Sequence, residues 1–254
     1  MQERPNPLKA AVTAGRPQLG LWCSLASALT TEVVAGSGAG WLLIDGEHSP
    51  NDLRTVMVQL QVLGGFACEA VVRLPSDDPT LIKQAMDVGA RSLMIPNVRS
   101  AEQAQTIVRG MAYAPHGFRG FSVAHRANAF GRIAGYHANA RAQQLLAVQI
   151  ECADGVSNAR EIAAVDGVDV LFVGPGDLST NLGAMGNPNA RHVQDAIASV
   201  REAAAASGKA SVILAPVKAD ADRYLADGFT MVAVGSDLGL LARGADALIA
   251  SFNG

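Results

Sequence analysis

The sequence predicts an α/β fold of one kind, a (β/α)8 TIM barrel. Three observations carry this expectation. Eight short, near-continuous apolar runs punctuate the chain, as strands buried on both faces do. A longer segment with helical spacing, often rich in alanine, follows each of them. The chain has 254 residues, a length that suits eight such units around one core. The competing α/β solution is an open dinucleotide-binding sheet, but no GxGxxG follows the first strand.

The elements read in order as follows. QLGLWCSL (18–25) is a strand, with a helix over 30–37 behind it. WLLID (41–45) is the second strand, and Pro50 to Asp52 open a helix over 51–63. EAVVRLP (69–75) leads to a helix over 79–88, and SLMIPNV (92–98) to one over 101–112. LLAVQIE (145–151) precedes a helix over 156–165, and VDVLFVG (168–174) one over 190–207. SVILAP (211–216) and FTMVAVG (229–235) complete the set, with helices over 219–226 and 238–251. Glycines in DVGA, ASGK and LADGF close helices before the next strand. No linker divides the chain, so 1–254 reads as a single domain.

One insertion is irregular: APHGFRGFSVAHRANAFGRIAGYHANARAQ (114–143). Such a length inside a compact domain is usually functional. From Gln103 to Ile150 there is no Asp or Glu, but there are five arginines and three histidines. It is either a solvated basic surface, or a positive rim that attracts an anionic substrate or packs on a neighbouring subunit.

The composition excludes several function classes. A net charge of −3 carries no signature of a nucleic-acid partner. Three cysteines without CxxC spacing form neither a disulfide framework nor a zinc knuckle, and point to a reducing compartment. The N-terminus has no apolar signal-peptide core, and no apolar run approaches the ~18 residues of a membrane span. The expectation is a cytoplasmic globular protein with no membrane partner.

Active sites of such barrels sit at the C-terminal strand ends. Asp45, Glu47 and His48 stand there after strand two, Arg73 on strand three, Gln149 and Glu151 on strand five, Asp177 after strand six and Asp237 after strand eight. Glu151 and Asp177 offer carboxylate oxygens that suit a hard divalent ion, although two acids could equally cap helices. Arg73 closes a buried-looking strand and must find an anion: a barrel carboxylate, or the carboxylate or developing oxyanion of a substrate. His48 is either a solvated turn residue or a base whose tautomer nearby acids hold. Imine chemistry is disfavoured, because of Lys9, Lys83, Lys209 and Lys218 only Lys218 could approach the mouth. Cys152, next to Glu151, reads as a core thiol.

At this point the sequence resembles the metal-dependent 2-keto acid aldolases of the HpcH/HpaI type, named for 4-hydroxy-2-oxoheptanedioate aldolase. The resemblance spans roughly Leu19 to Phe252 and rests on GLWCSL, LLIDGEHSPND, VVRLP, KQAMDVGA, GFRGFS with FGRI, VQIE, VGPGDLS with GNP, and VAVGSD in that order. It implies Glu151 and Asp177 as metal ligands, His48 as general base, Arg73 as stabiliser of the transition state, and Asp87 as the acid that raises the basicity of the histidine. It implies Gln149 and Gly176 as substrate contacts, with Trp22 and Leu214 shaping the pocket. Asp45 is expected near the metal's water shell or the histidine, while Glu47 has no assigned role. Relatives have GPAD where this chain has GPGD, a change that bears on pocket size and loop stiffness.

The cofactor implied is Mg2+, Mn2+ or Co2+, with Zn2+ also admissible. The assembly implied is a homohexamer with sites near subunit interfaces. The reaction expected is retro-aldol cleavage of 4-hydroxy-2-keto acids to pyruvate, or hydroxypyruvate, and an aldehyde, in the setting of aromatic catabolism. A 2-keto-3-deoxy sugar-acid aldolase and an enolate-forming decarboxylase are the alternatives within the enzyme class. A catalytically silent barrel that binds a keto acid is the alternative outside it.

Overall fold

The structure, a computed structural model, describes residues 1–253. Eight parallel strands close into a barrel in chain order. They are β1 (Gln18–Cys23), β2 (Trp41–Asp45), β3 (Glu69–Arg73), β4 (Ser92–Ile95), β5 (Leu145–Ile150), β6 (Val170–Val173), β7 (Ala210–Leu214) and β8 (Met231–Ser236). Every strand lies where the apolar runs placed it: β2 has the expected bounds, and the others differ from theirs by a few residues at one or both ends.

Helices α2 (Ala28–Ala35), α3 (Leu53–Leu63), α4 (Pro79–Asp87) and α5 (Ala101–Met111) follow the first four strands. Later come α10 (Arg191–Ala206), α11 (Lys218–Ala226) and α12 (Asp237–Ala250). Their starts follow local chemistry. Asp52 and Thr55 make a reciprocal capping box on α3, and Asp78 caps α4 ahead of Pro79. Gly89 and Gly228, after α4 and α11, take φ of +107° and +97°, which their missing Cβ permits.

Side chains alternate across each strand, and that alternation builds two cores. Leu42, Ile44, Val72, Leu146 and Val148 face outward into the shell beneath the helices. Leu43, Val71, Met94, Ala147, Phe172 and Val212 face inward and fill the barrel. Gly20 belongs to the inner packing, because the Trp41 indole occupies the space a Cβ would need.

Four features differ from the sequence reading. Residues 7–13, to which the sequence reading assigns no element, form a helix, α1 (Pro7–Thr13), whose Leu8 and Val12 close the lower end of the inner core. Its buried cap, Asn6, accepts the Lys9 N–H and donates to Ser92 Oγ at 2.9 Å. A seven-residue helix carries too short an apolar period to be seen in sequence. The expected helix over 156–165 is two short ones, α7 (Ala153–Ser157) and α8 (Ala159–Ala163), broken at Asn158. A seven-residue helix also follows β6 where the sequence reading has none: α9 (Pro175–Asn181) begins at the GPGD segment itself.

The fourth difference concerns the basic insertion, which contains α6 (Tyr136–Gln143). It follows α5 and enters β5, so it lies at the N-terminal end of the barrel, opposite the mouth. It is therefore not a positive rim around its own barrel mouth. Its cations are also largely engaged: Arg119 pairs with Asp87 at 2.6 Å, Arg126 donates to Val88 O and Arg141 to Gly167 O. Phe121, Val123 and Phe130 in the insertion are exposed, as are Leu240, Leu241, Leu248 and Ile249 on α12. Among the described residues no helix is long and apolar enough to cross a membrane.

Candidate active site

The mouth is built from strand parity and from one tight turn. On β2, Leu43 and Asp45 share the inward face, as Val71 and Arg73 do on β3. Asp45 and Arg73 are register partners on adjacent strands. Their side chains meet as a fork: Arg73 Nε donates to Asp45 Oδ1 and Nη2 to Oδ2, both at 2.9 Å. Both residues are buried. Burial alone would push the Asp45 carboxyl up, but Arg73 and the N–H groups of Glu47 and His48 outweigh it and hold it below the usual carboxylate range.

The DGEH turn then folds back over this pair. Gly46 donates its N–H to Arg73 O at 2.9 Å, and a Cβ there would lie 2.6 Å from that oxygen. Only glycine fits the approach. Asp45 Oδ1 accepts the N–H groups of Glu47 and His48, and Asn51 Nδ2 donates to Asp45 O at 2.7 Å. The result places Glu47 Oε2 2.7 Å from Arg73 Nη1, an ion contact rather than an aligned hydrogen bond. The same oxygen is 3.9 Å from His48 Nε2, whose side chain is 64% exposed. Trp22 lies under the guanidinium, with Arg73 Cζ 4.4 Å from its ring centroid.

Across the mouth, β5 contributes Gln149 and Glu151. Gln149 Nε2 donates to Glu151 Oε2 in a short hydrogen bond, and the Asn97 N–H donates to Glu151 Oε1 at 2.8 Å. Gln149 Oε1 is buried without a partner. Gly174, just ahead of α9, packs so tightly that a Cβ would lie 2.8 Å from Glu151 Oε2 and 3.0 Å from Gln149 Nε2. Asp177 stands exposed in the first turn of α9. Burial raises the Glu151 carboxyl to about 7, and repulsion from Asp177 and Glu47 adds to this; the bonds from Gln149 and Asn97 only partly offset it. Glu47 is raised as well, first by burial, with Asp45 and Asp177 adding and Arg73 and His48 opposing.

An excess of acids pushed toward neutrality is a setting a divalent cation relieves. The donor set fits a hard ion: carboxylate oxygens, with an unpartnered amide oxygen beside them. Among the described residues no group of three or more His, Cys, Asp or Glu is gathered to hold a metal. Glu151 and Asp177 would thus leave most coordination positions to water and substrate oxygens.

The other expected residues fall out as follows. Leu214 is half-buried at the top of β7, packed on the inner core. At Gly176 a Cβ would meet nothing within 4 Å, so the GPGD departure opens space without demanding it. Asp45 serves Arg73 and the turn backbone and makes no bond to the His48 ring. Asp87 is not joined to His48 within the chain. α4 runs back from the mouth, and Asp87 at its far end pairs with Arg119 and lies 3.9 Å from His125 Nε2. Asp237 is structural, accepting the Ser24 and Leu238 N–H groups and the Thr30 hydroxyl. Lys218 is exposed and paired with Asp222, which leaves the mouth without an imine lysine. Lys9 lies at the barrel's lower end, beside Asp169. Cys152 is buried and caps α7. Sequence reasoning left Glu47 without a role and missed Asn97; neither contact has a signal in residue spacing.

Comparison with known proteins agrees with this geometry. Residues 18–244 match the family described as HpcH/HpaI aldolase/citrate lyase. A 5-keto-4-deoxy-D-glucarate aldolase of Shigella dysenteriae serotype 1 (strain Sd197) is 47% identical over 98% of this chain and 97% of its own length. The protein of the same description from Escherichia coli (strain K12 / DH10B) is 46% identical over 98% and 97%. A solved structure of an HpcH/HpaI aldolase/citrate lyase family protein from Burkholderia cenocepacia J2315 superposes with a TM-score of 0.95 at 38% identity, covering 98% of this chain and 100% of that one. The match spans every strand and both halves of the acidic mouth, so the chain belongs to the HpcH/HpaI aldolase/citrate lyase family and is a carbon–carbon lyase.

Proposed function

We propose that this chain is a divalent-metal-dependent aldolase that cleaves a 5-keto-4-deoxy sugar dicarboxylate of the D-glucarate type. The observation that carries the reading is the mouth itself: Glu151 and Asp177 on one side, and Arg73 with His48 on the other. The substrate class comes from relatives that are nearly half identical over almost the whole chain. This favours the sugar-acid alternative over the heptanedioate substrate and its aromatic-catabolic setting.

In such a substrate a retro-aldol step breaks the bond between C3, which bears a hydroxyl, and C4, next to the ketone: the hydroxyl gives up its proton as the C3 aldehyde forms, the C3–C4 electron pair moves toward the keto oxygen, and the enolate then takes up a proton at C4. The products are pyruvate and a three-carbon hydroxy-aldehyde acid. A metal held by Glu151 and Asp177 would act as a Lewis acid on the keto oxygen. Arg73 supplies fixed positive charge where negative charge develops on oxygen, and its fork to Asp45 means that it need not reorganise to do so. His48 is the exposed base at the rim that exchanges a proton with the carbon next to the carbonyl. Gln149, with its free amide oxygen, orients the donor end, while Trp22, Leu214 and the open space at Gly176 bound the acceptor end.

The role that the resemblance implies for Asp87 requires a second subunit, since one chain holds Asp87 and His48 at opposite ends of its barrel. The exposed apolar residues of α12 and of the insertion support a homo-oligomer, with a hexamer as the expected state.

The test is exchange of the pyruvate C3 protons in D2O, followed by NMR. Exchange with Mg2+ or Mn2+ that EDTA abolishes is expected. No exchange with any divalent metal would favour a silent keto-acid-binding barrel.

A further inference from the structure

We propose that Glu47 is a positioning residue of this site, joining the arginine that holds developing negative charge to the histidine that takes the proton. The inference rests on the proposed function and deepens it. Its geometric basis is one carboxylate oxygen placed between two cationic partners: Glu47 Oε2 is 2.7 Å from Arg73 Nη1 and 3.9 Å from His48 Nε2. Among the described residues it is the one acid within 4 Å of a His48 ring nitrogen.

The fold gives Glu47 no other task. Arg73 already has a bidentate partner in Asp45. The DGEH turn is already held by Gly46, Asp45 and Asn51. A further acid beside Asp45, Asp177 and Glu151 adds repulsion, and such a group persists where it has a use. The charge count supplies that use. With His48 neutral, Asp45 and Glu47 face one cation, Arg73. In exchange and addition His48 takes the proton from the pyruvate methyl as the C–H electron pair moves toward the carbonyl, and in cleavage the protonated ring returns that proton to C4; in the protonated state the same cluster holds two acids and two cations. Glu47 therefore favours the protonated histidine at the moment it forms, while its contact with Nη1 links that histidine to the Arg73 guanidinium that Asp45 already fixes.

The experiment compares full-length wild type with Glu47→Gln and Glu47→Asp. It reads kcat and KM for cleavage of 5-keto-4-deoxy-D-glucarate with Mn2+, pyruvate C3 exchange, and thermal melting of the metal-free protein. Glu47→Gln should lower kcat and exchange by about 10- to 100-fold, the range seen when a partner that orients a catalytic group is lost, with KM within about 3-fold. Its melting temperature should hold or rise, because an acid leaves an acid-rich cluster. Glu47→Asp should recover part of the lost rate. Wild-type kcat and exchange in Glu47→Gln, or a loss of melting temperature with kcat intact, would overturn the role. A wild type that neither cleaves nor exchanges overturns the proposed function and this role together; an active wild type with an indifferent Glu47→Gln overturns this role alone.

Discussion

The two ends of β3 carry the same motif with different surroundings. At its start, Glu69 takes Arg91 Nε and Nη2 at 2.8 and 2.6 Å. At its finish, Arg73 forks onto Asp45 at 2.9 Å. The lower pair is balanced, and Lys9 with Asp169 nearby is balanced too. The upper pair is not: Glu47, Glu151 and Asp177 crowd the same mouth with only His48 to add positive charge. A hollow of about 940 Å3 opens at the lower end, beside Glu69, Arg91 and Arg126, and it lacks that acid excess. The contrast teaches where to look for chemistry. Balanced buried pairs hold a fold together, while an acid excess is tolerated where a cation and a substrate complete it.

The largest effect should come from Glu151→Gln. Removing one of the two carboxylates proposed to hold the metal should cut kcat by about 10^3-fold or more. The same residue sets a pH dependence. Its folded carboxyl titrates near 7, above the ordinary carboxylate value, so the folded metal-free protein holds more protons than the unfolded chain between those limits. Metal-free stability should therefore fall as pH rises from about 4.5 to about 7. Mn2+ affinity, followed by calorimetry, should tighten up to about pH 7 and flatten above it, because the ligand must be ionised. In Glu151→Gln that slope should vanish.

Arg73 comes next, and here the structure sharpens the expectation. Arg73→Ala leaves Asp45 buried and unpaired, so it should cost stability, about 3–5 kcal/mol, as well as turnover. Arg73→Lys is the cleaner variant: it keeps the charge, loses the fork, and should lower kcat by about 10^2-fold with a smaller melting change.

Two glycines at the start of α9 then separate a tight position from an open one. Gly174→Ala would press on Glu151 and Gln149 and should lower kcat by about 10-fold. Gly176→Ala meets open space and should stay within about 3-fold, with any change confined to acceptor preference. Similar losses in both would remove the distinction.

The smallest effect on chemistry should be at the lower end. Arg91→Ala should cost about 1–3 kcal/mol in denaturant unfolding, reduced by the partial exposure of Arg91, with kcat unchanged. A kcat loss there would mean that the two ends are not functionally distinct.

Much of this was legible in the residues, for physical reasons that also mark the limits. Position at or just after the C-terminal strand ends placed Asp45, Arg73, Glu151 and Asp177 at the mouth. What was not legible depended on geometry between distant segments. Glu47 meets Arg73 only because Gly46 lets the turn approach β3. Asp87 looked like a mouth residue by resemblance, yet α4 carries it to the other end. Charge alone left the basic insertion as a solvated surface, a rim or a subunit contact, and the rim is the reading removed once the segment between a helix and the next strand is seen beneath the barrel. Asn6 and α1 were invisible because about two helical turns have no readable period.

The most direct test is cleavage of 5-keto-4-deoxy-D-glucarate by the purified wild type, with pyruvate release followed in the presence of Mn2+ or Mg2+ and again after EDTA. Pyruvate release that EDTA abolishes and added metal restores is the predicted result. No release with either metal, or release indifferent to EDTA, would contradict the account.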